Sequence, residues 1–354
     1  MIRPAMLRRI FVAAKLAFRE SVMVPRLTRR LVIGTGLAAG ATFVAGRARA
    51  AELPTLRLDY AYYNPVALVL KDKGWVEDEF GKDGTKVEWV LSLGSNKALE
   101  FLNGSVVDFG SSAGSAALLA RSNDIPIKSV YVYSRPEWTA LVTTKDSPIQ
   151  KVSDLKGKRV AVTRGTDPYI FLLRALDRFN MSEADINMVL LQHPDGKTAL
   201  MRGDVDAWAG LDPYMAQTEL EDRSRLFFRD PSLNTYGFLN VREAFAKEHP
   251  DKTLRLLKVY ERGRQWSLAN PDGLKGVLAK AAKLTDPVAA KELERTDLSN
   301  PVIGDEHRTA IIAAGGVLKK ANIVPAGIDI IATANQLVDP EFVTQLDVKK
   351  ANAG

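Results

Sequence analysis

One short stretch of this sequence occurs twice, about a hundred residues apart. The clearer copy, residues 203–214, reads Gly-Asp-Val-Asp-Ala-Trp-Ala-Gly-Leu-Asp-Pro-Tyr, and the weaker copy, residues 103–110, reads Asn-Gly-Ser-Val-Val-Asp-Phe-Gly. In both copies a helix-like run ends near a glycine and continues through a turn and an aspartate into a short apolar strand. The repeat predicts two similar α/β halves, and chains built in this way commonly place their binding site between the halves.

The charge of the chain is concentrated at its start. The 354 residues carry a formal net charge of +7, but residues 1–50 hold ten Lys and Arg against a single acid, Glu20. The remainder has 39 basic and 41 acidic residues, a balance of −2. With 46% hydrophobic residues the chain is typical of a globular protein, and its length suits two lobes. A near-neutral body gives no basis for a nucleic-acid or membrane partner.

Residues 1–50 have the three parts of a secretory signal peptide. A basic stretch through Arg30 precedes an apolar run over 31–45 and a small-residue cleavage site, Ala48-Arg49-Ala50. The apolar run is shorter than the roughly 20 residues that span a bilayer, so cleavage near Ala50 is favoured over anchoring. Residues 28–33 also resemble a twin-arginine export signal, although two arginines are ordinary in a basic leader. We expect an exported protein, soluble in the periplasm, and Met23 is a candidate start.

The chain contains no cysteine, which excludes disulfides, thiolate metal sites and thiol nucleophiles. The three histidines, His193, His249 and His307, are scattered without metal-ligand spacing. Neither a GxxxxGK phosphate loop nor an aromatic and basic nucleic-acid patch occurs. The sequence therefore predicts no metal, no cofactor and no nucleic-acid partner.

Strand and helix patterns alternate from Thr55 to Thr144, restart at Val152, and give way to an almost wholly helical period after Arg242. The predicted fold class is α/β, with two hinged lobes and mostly parallel sheets, and the helical tail returns to cover the first lobe. Lobe 1 would comprise 51–143 and 234–354, and lobe 2 would comprise 144–233. The two crossings, near Thr143 and near Leu233, would form a hinge.

Four predicted turns, at 62–64, 93–96, 110–113 and 164–166, lie where a strand runs into a helix. Unpaired backbone N–H groups and the helix dipole favour an anion at such points, and Lys97 and Arg164 are nearby cations. For any single one of Ser95, Ser112 and Thr166, an ordinary helix cap is the better interpretation. Several such turns in two facing lobes nevertheless indicate a shared ligand cleft.

Aromatic residues and one aspartate complete the candidate site. Tyr62, Tyr63 and Trp138 lie at turn or strand ends, where an aromatic wall for an aliphatic tail and simple packing are equally supported. Asp212-Pro213 is typical of a helix cap with proline at the first helical position, and a ligand-binding role ranks second. The candidate ligand-binding residues are Tyr62, Tyr63, Asn64, Ser95, Asn96, Ser111, Ser112, Trp138, Arg164, Gly165, Thr166 and Asp212.

An alternative of a different class is an exported serine hydrolase. Gly110-Ser111-Ser112-Ala113-Gly114 matches the nucleophile-elbow pattern between a strand and a helix, with Ser112 as the nucleophile. However, no histidine lies in a recognisable partner motif, and no HGGG-like oxyanion loop precedes the serine. The hydrolase is therefore the distant alternative, and we expect a protein that is not an enzyme.

Three segments resemble a known family: residues 152–161 (Val-Ser-Asp-Leu-Lys-Gly-Lys-Arg-Val-Ala), residues 203–214, and Arg135-Pro136-Glu137-Trp138. They are similar to the periplasmic binding proteins of ABC importers for aliphatic sulfonates, taurine and nitrate, over nearly all of the mature chain. The resemblance implies the type II periplasmic binding protein fold, a small anion as ligand, and a membrane permease as partner of a monomer. It also implies that ligand contacts come from the loops that hold Ser95, Ser112, Gly165-Thr166 and Asp212.

Two departures from the family pattern bear on the ligand. Sulfonate binders usually read Trp-Asp-Pro where this chain has Leu211-Asp212-Pro213, and their first loop commonly carries Gln or Lys where this one has Tyr62-Tyr63-Asn64. An altered first loop changes the wall of the pocket. An aliphatic sulfonate is the first expectation, and taurine, nitrate or another small ligand are alternatives within the same fold.

Overall fold

The computed structural model describes residues 53–348, all of which belong to one compact unit. The predicted signal peptide, its cleavage near Ala50 and the candidate start at Met23 lie outside the described residues. Within 53–348, no helix combines the length and the hydropathy needed to cross a membrane.

Strands and helices alternate along most of the chain. The strands are β1 (Thr55–Tyr60), β2 (Lys86–Leu91), β3 (Phe109–Ala113), β4 (Ile127–Pro136), β5 (Leu141–Thr143), β6 (Arg159–Val162), β7 (Asn187–Leu190), β8 (Ala207–Ala209), β9 (Arg225–Phe228), β10 (Gly237–Arg242) and β11 (Thr296–Asp297). The helices are α1 (Pro65–Lys73), α2 (Trp75–Gly81), α3 (Ser95–Asn103), α4 (Gly114–Arg121), α5 (Asp167–Arg178), α6 (His193–Arg202), α7 (Tyr214–Glu221), α8 (Glu243–Glu248), α9 (Pro250–Ala269), α10 (Pro271–Ala282), α11 (Asp286–Glu294), α12 (Asp305–Lys320) and α13 (Ile330–Leu337).

The strands form two sheets with matching order. The first sheet has the order β11-β4-β10-β3-β1-β2, and the second has β7-β6-β8-β5-β9. In each sheet the strand that follows a crossing between sheets, β10 or β5, pairs antiparallel with both of its neighbours. The predicted α/β class is confirmed, and both sheets are mixed. β1 pairs in parallel with β2 and β3, and β6 pairs in parallel with β7 and β8, while β10 and β5 run in the opposite direction to these strands.

The chain changes sheets twice. It leaves the first sheet after β4 and enters the second with β5, and it returns from β9 to β10. The strand Leu141–Thr143 thus pairs in the second sheet, and Leu233 lies on the return segment. The division into lobes at 143/144 and 233/234 remains a prediction.

The repeated stretch occupies equivalent positions in the two sheets. Asp108 precedes β3 and accepts a hydrogen bond from Arg57 N at 2.9 Å, and Asp206 precedes β8 and accepts one from Arg159 N at 2.8 Å. Each aspartate also pairs with an arginine, Arg242 for Asp108 and Arg159 for Asp206. The aspartate of each copy therefore ties the strand that follows it to a neighbouring strand, β3 to β1 and β8 to β6.

The helical tail covers the first sheet, as the sequence predicts. Helices α9 and α10 pack against α1, while α12 and α13 pack against α4. The tail also reaches the other half of the molecule, because α12 contacts α5 and α11 contacts α7.

Candidate ligand-binding cleft

The two halves meet through the turns that follow their strands. A Cβ atom built on Gly94, after β2, would lie 3.0 Å from His193 Nε2 at the start of α6. A Cβ atom built on Gly165, after β6, would lie 3.6 Å from Asn96 Cβ in α3. The carboxyl ends of strands from both sheets thus face each other across a closed cleft.

A buried carboxylate joins the halves at the floor of this cleft. Asp167, the first residue of α5, is 1% exposed. It accepts hydrogen bonds from Trp138 Nε1 at 2.8 Å, Thr235 N at 3.0 Å, Thr235 Oγ1 at 2.8 Å, and Ser115 Oγ. Ser115 belongs to the first turn of α4, and Trp138 and Thr235 lie on the two crossings between the sheets. The Asp167 carboxylate at the cleft floor is therefore stabilised by hydrogen bonds from uncharged donors.

The first predicted turn is held by a buried network under the cleft. Tyr63 donates to Ser111 O at 3.1 Å, and its ring contacts Trp138 edge-on with centroids 5.7 Å apart. Asn64 caps α1 by accepting from Ala67 N and donates through Nδ2 to Ser111 Oγ at 2.8 Å. Ser111 N and Oγ both donate to Asp59 Oδ1 at 2.8 Å. Burial raises the pKa of Asp59 to about 6 despite these bonds.

Tyr62 remains half-buried beside the opposite half of the molecule. Burial, and then the neighbouring Tyr62, raise the pKa of Tyr214 at the start of α7 to about 12. With Tyr63 and Trp138, Tyr62 gives one side of the cleft an aromatic character.

Ser95 and Ser112 are structural partners of β3. Ser95 Oγ accepts from Ala113 N at 3.0 Å. Ser112 is fully buried within β3, where it accepts from Asn240 Nδ2 at 2.8 Å and donates to Ala113 O. The nucleophile-elbow interpretation does not fit this position, because Ser112 lies inside a paired strand and α4 begins only at Gly114.

The turn at 164–166 divides its residues between the cleft and the surface. Gly165 has φ +78° and faces Asn96, and Thr166 Oγ1 donates to Thr163 O at 2.6 Å. Arg164 is exposed, with its guanidinium 5.4 Å from the Tyr169 ring and 3.8 Å from Glu183. The structure therefore does not bring Arg164 together with the other candidates.

Asp212 is committed to the start of its helix and to a buried ion pair. Its Oδ1 accepts from Ala216 N at 2.8 Å in the first turn of α7. The predicted cap is misplaced by one residue, because Pro213 is the N-cap and the helix begins at Tyr214. Both carboxylate oxygens lie 3.3 Å from Arg295 Nη1. Burial raises the pKa of Asp212 to about 6, and Arg295 opposes that shift. The Asp212–Pro213 peptide bond is cis.

Sequence reasoning missed several residues of the cleft. Asp59, Ser115, Asp167, His193 and Thr235 are all buried there or directly beneath it. Asp167 followed by proline resembles an ordinary helix start, and His193 carries no partner motif. Within 53–348, no three His, Asp or Glu side chains come together in a way that could hold a metal ion.

These features define a class of protein. Two α/β halves of the same strand order, joined by two crossings and meeting at their strand ends, form a bilobal solute-binding fold. The chain belongs to the NMT1/THI5-like family, whose family model matches residues 66–274.

Similar proteins support this assignment. A Bacillus subtilis (strain 168) protein bearing the name of an aliphatic sulfonates-binding protein is 30% identical over 258 residues, which are 72% of this chain and 78% of that protein. The solved structure of the alkanesulfonate-binding protein SsuA from Xanthomonas axonopodis pv. citri, bound to MOPS, has a TM-score of 0.74 at 23% identity. The match covers 82% of this chain and 100% of the SsuA chain. The resemblance stated from the sequence is confirmed, and so is the periplasmic binding protein fold.

One relative is named as an enzyme. The 4-amino-5-hydroxymethyl-2-methylpyrimidine phosphate synthase of Aspergillus parasiticus is 24% identical over 226 residues, which are 59% of this chain and 64% of that protein. The comparisons thus include binding proteins and a synthase.

Proposed function

We propose that this protein is the extracytoplasmic solute-binding component of an ABC importer and that it binds an aliphatic sulfonate between its lobes. The observation that carries the proposal is the 30% identity to a named aliphatic sulfonates-binding protein along 78% of that protein's length. The matching two-lobed fold supports it. Residues 1–50 serve as the export signal, and the mature monomer works in the periplasm beside the permease.

The chemistry of the cleft suits an organic anion. Three helices, α3, α4 and α5, begin at the junction of the halves, and their N-termini favour negative charge. The four hydrogen bonds to Asp167 illustrate how uncharged donors stabilise a buried anion at this junction. A sulfonate offers three acceptor oxygens to such donors.

The aromatic side of the cleft supports a ligand with a carbon chain. Tyr62, Tyr63 and Trp138 provide apolar surface for an aliphatic tail, which nitrate and sulfate lack. We propose that these three residues, with Asn96 and Gly165 from the facing turns, contact the ligand. Asn64, Ser95, Ser111, Ser112, Thr166 and Asp212 act beneath them by holding the turns in place.

The protein works by reversible closure and without chemistry. The segments that join β4 to β5 and β9 to β10 are the two crossings, and rotation about them would separate the halves. The ligand enters the open cleft and is enclosed when the halves meet. The synthase among the relatives makes catalysis the second candidate, but Ser112, the nucleophile of the hydrolase alternative, is bonded inside a strand.

A thermal-shift screen of the exported protein tests this proposal. Alkanesulfonates of increasing tail length, taurine, nitrate and sulfate are compared, with alkylcarboxylates of the same lengths as controls. We expect stabilisation by sulfonates that exceeds the effect of nitrate or sulfate, because a ligand that binds the folded state raises its stability by mass action. A shift with nitrate alone, or with no sulfonate, would overturn the sulfonate assignment.

A further inference from the structure

Two buried hydrogen-bonding atoms from opposite halves converge on the same face of Gly94. A Cβ atom built on Gly94 would lie 2.8 Å from Asn96 Oδ1 and 3.0 Å from His193 Nε2. Both atoms are buried without a hydrogen-bond partner. His193 as a whole is 0% exposed, so bulk solvent does not reach this atom. Buried polar atoms in folded proteins are nearly always paired, so the pair indicates a partner that joins them on binding.

The hydrogen bonds of His193 identify Nε2 as an acceptor. Thr163 Oγ1 donates its single proton to Leu191 O at 2.7 Å. The contact of 3.2 Å between Thr163 Oγ1 and His193 Nδ1 is therefore donated by Nδ1–H. A neutral imidazole protonated at Nδ1 has a bare Nε2. Burial supports the neutral form, since it lowers the pKa of His193 to about 3.

The other unpaired buried atoms next to His193 Nε2 are also hydrogen-bond acceptors. Asn96 Oδ1 is an amide carbonyl and can only accept. Gln192 Oε1, on the residue before His193, is another buried acceptor without a partner. A bare anion such as the head group of a sulfonate offers further acceptors and satisfies none of these atoms. A group with N–H or O–H satisfies them.

We infer that His193 Nε2 and Asn96 Oδ1 form a donor-reading subsite, which selects sulfonates that carry an amino or hydroxyl group over plain alkanesulfonates. The inference rests on the proposed function and refines it by naming the ligand class. In the closed complex the amino or hydroxyl group lies between α3 of one half and α6 of the other. His193 and Asn96 are then specificity-determining residues, while the anion is held elsewhere in the cleft.

Three sulfonates of nearly equal size test the subsite: taurine, isethionate and ethanesulfonate, titrated into the exported protein by calorimetry. We expect taurine or isethionate to bind at least about tenfold more tightly than ethanesulfonate, because only they pair the buried acceptors. Equal affinities would overturn the subsite and leave the sulfonate proposal standing. Failure of all three to bind would overturn the proposed function itself, and the subsite with it.

Variants of His193 and Asn96 test whether these two residues cause the preference among the three sulfonates. His193→Phe keeps the ring and removes the acceptor, so the preference for taurine or isethionate over ethanesulfonate should collapse toward unity. His249→Phe, a half-buried histidine whose ring packs on Phe245, is the matched control and should keep the preference. If His193→Phe does not fold, Asn96→Ala, at the half-buried start of α3, should still reduce the preference for taurine or isethionate over ethanesulfonate. An unchanged preference in the folded variant would overturn the inference.

A nitrogen NMR spectrum distinguishes ligand recognition by His193 from a purely structural role of this residue. The Nε2 of His193 should resonate as an unprotonated imidazole nitrogen and shift when taurine or isethionate binds, but not with ethanesulfonate. A protonated Nε2 in the free protein would refute the assignment.

Discussion

Removal of the Asp167 carboxylate by Asp167→Ala is expected to lower the free energy of unfolding by about 3 kcal/mol. The substitution leaves Trp138 Nε1 and Thr235 N, now 2.8 Å and 3.0 Å from the carboxylate, without an acceptor. Each buried unpaired donor costs about 1–3 kcal/mol. The hydroxyls of Ser115 and Thr235 can rotate to other acceptors, and loss of a buried charge offsets part of the cost.

Urea unfolding measures the change, and thermal unfolding should show a midpoint lowered by roughly 6 °C, at about 2 °C per kcal/mol for a chain of this size. Asp177→Ala is the matched control, because Asp177 lies on the same helix and pairs with Lys320 at the surface. Surface pairs contribute about 0–1 kcal/mol. A loss in Asp167→Ala no larger than that of the control would refute the account of the cleft floor.

Small carboxylates should restore part of the stability that Asp167→Ala loses, because they can bind the hydrogen-bond donors left without a partner. Formate or acetate should fit the space left by the carboxylate and restore part of the stability of Asp167→Ala, by about 1.4 kcal/mol at ten times the dissociation constant. The same salts should leave Asp177→Ala unchanged, and equal effects on both variants would argue against an anion site.

Further predictions concern the network below the cleft, the contact of the halves and the repeat. The pKa of Asp59, about 6 against an ordinary 3.8, means that this carboxyl favours folding at low pH and opposes it as the pH rises. Asp59→Asn should therefore gain stability over the parent by up to about 3 kcal/mol between about pH 4 and about pH 7, and a pH-independent difference in urea unfolding would contradict this. Gly94→Ala places a methyl group against the opposite half and should weaken sulfonate binding at least about tenfold by calorimetry, whereas Gly316→Ala, in open space, should not. Asp108→Ala should cost about 2 kcal/mol in urea unfolding and Asp206→Ala about 1, since Asp206 is more exposed. The reverse order would contradict this argument from burial.

Local patterns in the sequence predicted the elements that depend on local physics. The alternation of strands and helices and the repeated unit follow from periodicity and turn chemistry, and the structure has them. The helix start near Asp212 was also predicted, but one residue too early. The direction of β5 and β10 could not be predicted, because it depends on how the chain crosses between sheets.

The floor of the cleft could not be predicted for a related reason. Asp167 is bonded to residues 29, 52 and 68 positions away, and no local pattern marks such partners. Arg164 illustrates the opposite error. Its position in a strand-to-helix turn suggested a cation for the ligand, but its long, exposed side chain extends over the ring of the buried Tyr169 toward Glu183.

Isothermal titration of the exported protein and of Gly94→Ala with aliphatic sulfonates tests the central claim most directly. The account predicts saturable binding of one sulfonate per chain, and a clear loss of affinity in the variant, whose added methyl group opposes closure. Absence of binding by every sulfonate, or equal affinity in both proteins, would contradict a sulfonate site between the two halves.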